Sequence, residues 1–197
     1  MKVPRTTDGR LGGNGYGLAA CLLAAVLAAA PGGLMAQAFK TTTGHAEFTS
    51  SVPLHTFTGT SERLNGRIDL AVGTVDFYLD LETLDTGIGK RDKDMRKTLD
   101  TASFPFAEFV GQLESPIDPA SRARQAVRVR GTFTIHGVAR EIVVEGSITP
   151  GASSLRLEAA WELLLADYDI VPPSLLFVKV DQVQKVALNA LLTPETP

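Results

Sequence analysis

The sequence predicts an all-β protein: an eight-stranded antiparallel barrel with one short helix inserted between the early and the late strands. Three observations lead there. After about residue 40, apolar residues recur at every second position, the period of a strand with one buried face. Only residues 90–99 carry a helical pattern. Each strand pairs one apolar face with one polar face, as a sheet closed around an apolar interior requires. A two-sheet sandwich is the alternative for the same pattern.

The elements follow in chain order. HAEFTSSVPLHTFTG and GRIDLAVG supply two or three strands, and VDFYLDLETL puts Val75, Phe77, Leu79 and Leu81 on one face. Asp76, Asp80 and Glu82 take the other face, with Tyr78 among them. KRDKDMRKTL, residues 90–99, is the helix. Its apolar side is thin, with Met95 and Leu99 at i, i+4, so it can cover an edge but cannot be a core. Asp92 and Arg96 share that spacing and can pair, worth a few tenths of a kcal/mol. VRVRGTFTI sets Val127, Val129, Phe133 and Ile135 against Arg128, Arg130, Thr132 and Thr134. REIVVEGSI groups Ile142, Val144 and Ile148, and the link His136–Ala139 makes 126–148 a hairpin. LRLEAAWELLL aligns Leu155, Leu157, Trp161, Leu163 and Leu165. FVKVDQVQKVALNALL alternates more weakly around a bulge expected at Asp181–Val183. Pro116 and Pro119 mark a loop, and Pro172-Pro173 break the chain before the last strand.

The first 38 residues stand apart. Lys2, Arg5 and Arg10 precede the apolar run Leu18–Ala30, then a helix-breaking PGG, then Ala36-Gln37-Ala38 in the small-x-small pattern of a signal peptidase site. The run is shorter than the roughly 20 residues a membrane span needs. The expectation is a secretory signal peptide over 1–38, cleaved near Ala38, a barrel domain over 39–197, and no stable membrane span after cleavage. Leu18–Cys21 spells a lipobox, but at the start of the apolar run rather than its end. Losing the leader takes the net charge from −3 to −5 and removes the only cysteine. Disulfides, thiolate metal sites and cysteine nucleophiles are thereby excluded. Export without disulfides fits a bacterial periplasm. The acidic balance, with no Lys/Arg stripe interleaved with aromatics, speaks against nucleic acid. Monomer and homodimer are equally compatible with the sequence.

No catalytic constellation emerges. Asp85-Thr86-Gly87 spells the loop of an aspartic protease, a chemistry that needs two carboxylates sharing a proton. No second such triplet exists, and the residues after it turn into a charged helix. A strand-ending turn accounts for all three. Gly87-Ile88-Gly89-Lys90 is half a phosphate loop without its remainder. His45, His55 and His136 have no metal-ligand spacing, and no G-x-S-x-G elbow occurs. The expectation is no enzyme, no metal and no catalytic cofactor. Phe48, Phe57, Phe77, Phe109, Phe133 and Trp161 fall mostly on inward parities. They either fill a core or line a cavity, and alternation cannot separate the two.

The order of motifs adds a resemblance. Gly44, Phe48, Phe57, Gly59, Leu64, Gly66 and Ile68 open it, followed by DTG…KRDKDM with Arg91-Asp92. FPFAEFVG at 104–111, VRGTFTIHGVAREIVVEG at 129–146 and the closing run 163–192 complete it. Together these resemble the YceI-like family of bacterial periplasmic proteins over residues 40–192. The early strand departs from the commoner pattern, with His45 three residues before Phe48 and no serine following it. The resemblance implies a lipocalin-like eight-stranded barrel whose interior binds polyisoprenoid lipids, isoprenoid quinones among them, and brings no catalytic residues. On that reading Phe48, Phe57, Phe77, Leu79, Leu81, Met95, Phe109, Phe133, Trp161 and Leu163 line the ligand chamber. Arg91 and Arg96, on the charged helix, would stand at its mouth to meet a polar head group. A ligand-free protein acting through its surface is the rival expectation.

Overall fold

The computed structural model describes residues 38–52, 55–172, 174–175 and 178–195. The expected leader therefore lies outside the described residues, apart from Ala38, as does Pro173. Eight strands close into one barrel: β1 (Ala38–Val52), β2 (His55–Asp69), β3 (Thr74–Asp80), β4 (Phe106–Leu113), β5 (Gln125–Ile135), β6 (Val138–Pro150), β7 (Leu155–Leu164) and β10 (Val183–Pro194). Each pairs antiparallel with its sequence neighbour, and β10 returns to pair with β1. A short ribbon of β8 (Ser174–Leu175) and β9 (Val178–Lys179) stands outside the barrel. One helix, α1 (Gly89–Leu99), is inserted between β3 and β4. No helix among the described residues is long and apolar enough to cross a membrane.

The two ends of the barrel differ. At the end where β2 meets β3 and β6 meets β7, side chains from opposite walls pack solidly. Ile68, Ile148 and Leu155 are each 1% exposed and Leu192 is 0%. Phe39, Val75 and Val127 complete this plug. The other end carries the two long insertions, residues 81–105 and 165–182, and here the interior stays open.

Close strand approach depends on glycine at two levels. Gly66 faces Phe77 across β2 and β3, and a Cβ there would fall 2.0 Å from the ring. Gly131 pairs with Gly111, and its Cβ would fall 2.4 Å from the Val110 carbonyl oxygen. A ring can move aside, but backbone cannot. Gly131→Ala is therefore expected to destabilise the protein by about 2–3 kcal/mol, read from urea unfolding midpoints.

Sequence periodicity and structure diverge at the strand ends. The strand expected over VDFYLDLETL stops at Asp80, and Leu81–Thr83 form a 3-10 turn instead. The Asp80 carboxylate causes this by accepting from the Glu82 amide at 2.9 Å. Leu165 likewise begins a 3-10 turn, Leu165–Tyr168, rather than ending β7. The hairpin link is only His136-Gly137, both at positive φ, and pairing resumes at Val138. That two-residue turn matches the twist of the flanking strands. The bulge is in β1, where register shifts between Thr41 and Ala46, not at Asp181–Val183. There β10 simply begins: the Asp181 amide donates to the Ser51 carbonyl, and the Asp181 carboxylate accepts from the Val183 amide.

Candidate functional site: an apolar cavity

The open half of the barrel encloses a cavity of about 500 Å³. Its deepest aromatic row crosses three strands. Phe77 on β3 pairs with Phe109 on β4, and Phe109 pairs with Phe133 on β5. Trp161 on β7 meets Phe133 edge-on, with ring centroids 5.7 Å apart. On the facing wall Phe48 and Phe57 meet edge-on at 6.1 Å. Leu79, Leu81 and Leu163 line the cavity nearer its mouth, and Met95 reaches it from α1. All ten residues expected to line the chamber stand at its wall.

Others there were not singled out by sequence. Val186 and Leu188 lie on the weakly alternating last strand. Leu84 and Ile170 come from irregular segments, which have no period to read. Ser50 and Gln184 are polar, yet strand parity turns them inward with Phe48 and Val186.

The insertion that forms the rim is fastened by polar contacts. Asp85 pairs through its backbone with Thr60, both bonds 2.9 Å, and its carboxylate accepts from the Gly87 amide at 2.7 Å. Asp85-Thr86-Gly87 is thus a turn that ties the insertion to β2. Asp92, on α1, is buried and accepts from both the amide and the hydroxyl of Thr86. Arg91 donates to the Thr86 hydroxyl at 2.9 Å and to the Thr86 carbonyl at 2.6 Å. Its guanidinium also lies 4.4 Å from the centre of the Phe57 ring, a cation–π contact. Arg91 therefore stands at the cavity edge but is engaged in holding α1.

Arg96 does not line the cavity. It is drawn the other way, donating to the Glu82 carbonyl at 3.0 Å. Its Nε lies 3.1 Å from the Glu82 carboxylate, close enough for an ion pair but off the line of a hydrogen bond. Lys90 pairs with Asp94 at 2.8 Å on the exposed side.

The Thr86 hydrogen bonds hold the Asp92 carboxyl below its ordinary value of 3.8, against the opposing effect of burial; Arg96 and Arg91 add to the lowering. A carboxyl with a depressed folded-state value stabilises the fold above its unfolded value, and that contribution is lost as pH falls through the folded one. Acidification below about pH 3.8 is expected to release the insertion before the barrel. Hydrogen exchange should quicken at the Thr86 amide while the Val144 amide stays protected, and Asp92→Asn should remove the step.

The histidines do not converge. His45 bonds Glu62 at 2.6 Å on the outer surface, and His136 sits in its hairpin turn 3.1 Å from the Tyr168 carbonyl. The side chain of His55 lies outside the described residues. No metal-holding cluster of acidic, histidine or cysteine side chains occurs among the described residues.

Comparison with known proteins agrees with this architecture. A polyisoprenoid binding domain from Saccharophagus degradans superimposes with TM-score 0.67 at 20% identity, covering 81% of this chain and 99% of that one. Burkholderia cenocepacia BcnA gives 0.62 at 14%, covering 76% and 96%. The Campylobacter jejuni YCEI protein gives 0.53 at 13%, covering 76% and 82%. At such identities these likenesses speak for the fold. No curated protein sequence matches the chain. The sequence model of the YceI-like domain, however, matches residues 38–191, from the first residue of β1 almost to the end of β10. Closed barrel, inserted helix and sequence match together place the chain in the YceI-like family.

Proposed function

We propose that the protein is a non-enzymatic periplasmic carrier or sequestering protein for an apolar polyisoprenoid-type lipid, such as an isoprenoid quinone, held in the barrel interior. One observation carries the reading. The cavity of about 500 Å³ is walled by hydrocarbon and aromatic side chains, and three of the four charged residues along it are on α1 at the mouth. Such a surface gains by burying methylene and methyl groups, each worth about 0.8 kcal/mol. The description of the Saccharophagus degradans domain as polyisoprenoid binding supports the same ligand class. Periplasmic residence rests on the leader pattern of residues 1–38. A ligand-free protein acting through its surface is the weaker reading, because a barrel with no cargo has no use for an open half.

Filling the chamber tests the proposal. Ala46 is buried on β1 and lines the cavity. Titration with a prenylated benzoquinone is expected to show saturable one-to-one binding, weakened at least about tenfold in Ala46→Phe by loss of room for the chain. Equal affinity in the two proteins would place any binding outside the barrel.

A further inference from the structure

Two polar atoms in the cavity wall lack a partner. Ser50 is fully buried, and its hydroxyl meets no hydrogen-bonding group among the described residues. The indole nitrogen of Trp161 is also sealed from solvent and unpaired among the described residues. Both residues line the cavity. They share one patch of wall, because β10 runs between β1 and β7 and Val186 pairs with Phe48 on one side and Trp161 on the other. Ser50 lies two residues beyond Phe48 on the same face. Gln184, opposite Leu163, adjoins them, but its amide nitrogen is committed to the Asp181 carbonyl at 2.6 Å.

Native structures keep few buried donors unpaired, because each forfeits the hydrogen bond it had in water. The two arginines anticipated as head-group contacts are engaged elsewhere. Arg91 is occupied by Thr86 and Phe57, and Arg96 by Glu82. The unmet demand for a polar partner is in the chamber wall.

Resting on the lipid-carrier reading, we propose that this patch holds the head group of the ligand, and that the head is an uncharged hydrogen-bond acceptor such as a carbonyl oxygen. An indole N–H only donates, so its partner must accept. The Ser50 hydroxyl is a second unpaired donor in the same wall. A charged head is disfavoured there. The lining cations, Lys90 and Arg91, are both on α1, so an anion would be desolvated without a counter-charge. The chain then fills the remaining apolar volume, and the arginines serve to fasten α1.

Trp161 is the only tryptophan of the chain, so its indole N–H gives one cross-peak in a ¹⁵N-labelled sample. The protein is titrated with a prenylated benzoquinone and, separately, with a hydrocarbon of the same prenyl chain. Both are expected to bind, the quinone about tenfold tighter, the gain of a buried hydrogen bond. Only the quinone should move the indole proton downfield. Trp161→Phe and Ser50→Ala should each reduce the ratio of quinone to hydrocarbon affinity severalfold, and continued saturable binding of the hydrocarbon reports that the variants are folded. Equal affinity of the two ligands in the wild type would overturn the inference and leave the carrier reading standing. A preference that survives both variants but disappears in Arg91→Ala would overturn it in favour of a head at the mouth. Failure of both ligands to bind the wild type would overturn the carrier reading, and the inference with it.

Discussion

Prenyl alcohols of increasing length are expected to bind with an affinity that climbs steeply over the first four five-carbon units and then levels off. The expectation follows from volume. At the close packing of protein interiors a five-carbon unit needs roughly 120 Å³, and the cavity offers about 500 Å³. Burying five carbons is worth at most about 4 kcal/mol, at about 0.8 kcal/mol each. Ordering the chain consumes part of that. A gain of at least about tenfold per unit is expected while the chain is still entering the chamber, because even 1.4 kcal/mol of surplus suffices. Units beyond the mouth lie in water and contribute little. Displacement of a fluorescent apolar probe measures the series. A curve that still rises at eight units would mean that the plugged half of the barrel opens on binding. A flat curve from the first unit would mean that the chamber is not the site.

Phe133→Ala is expected to lower stability by about 3 kcal/mol, the low end for a buried phenylalanine because one side of it faces open space. Phe133 is 6% exposed and joins three parts of the molecule. It pairs with Phe109 across β4 and β5, meets Trp161 edge-on, and meets Tyr168 of the 3-10 turn with centroids 5.6 Å apart. Removing the ring detaches the aromatic row from the segment that follows β7. For a domain of this size the melting temperature should fall by about 6–12 °C. Phe133→Leu should recover most of the loss. The same truncation enlarges the cavity, so the length at which affinity levels off should shift upward by up to about one unit. A loss below about 1 kcal/mol would show that the ring is not part of the packed wall.

These two expectations draw on different parts of the sequence-to-structure relation. Strand parity was legible because period-two alternation follows directly from the pleat. Hence Phe77, Leu79, Phe109, Phe133, Trp161 and Leu163 could be assigned to one surface, and all of them stand along the cavity. Whether that surface encloses space was not legible. It depends on what arrives from the opposite wall. Ile68, Ile148, Leu155 and Leu192 converge and fill one half, whereas no such convergence occurs near Phe48 and Phe57. The helix was read nearly to its ends from the charge run and the Met95/Leu99 spacing, but the direction of its arginines was not. Thr86 and Glu82, which capture them, are only five and fourteen residues away in sequence, yet no spacing rule links a helix arginine to a preceding turn. Ser50 was concealed differently. In TSSV it reads as one more polar residue of a strand, and only the closure of β1 on β10 makes it a buried hydroxyl.

The most direct test of a lipid-holding barrel is native mass spectrometry of the protein purified from a periplasmic extract, followed by organic extraction of whatever adds mass. A single discrete adduct that resolves into a prenyl chain bearing an uncharged oxygenated head is the expected result. A clean ligand-free mass that persists after incubation with prenylated quinones would contradict it.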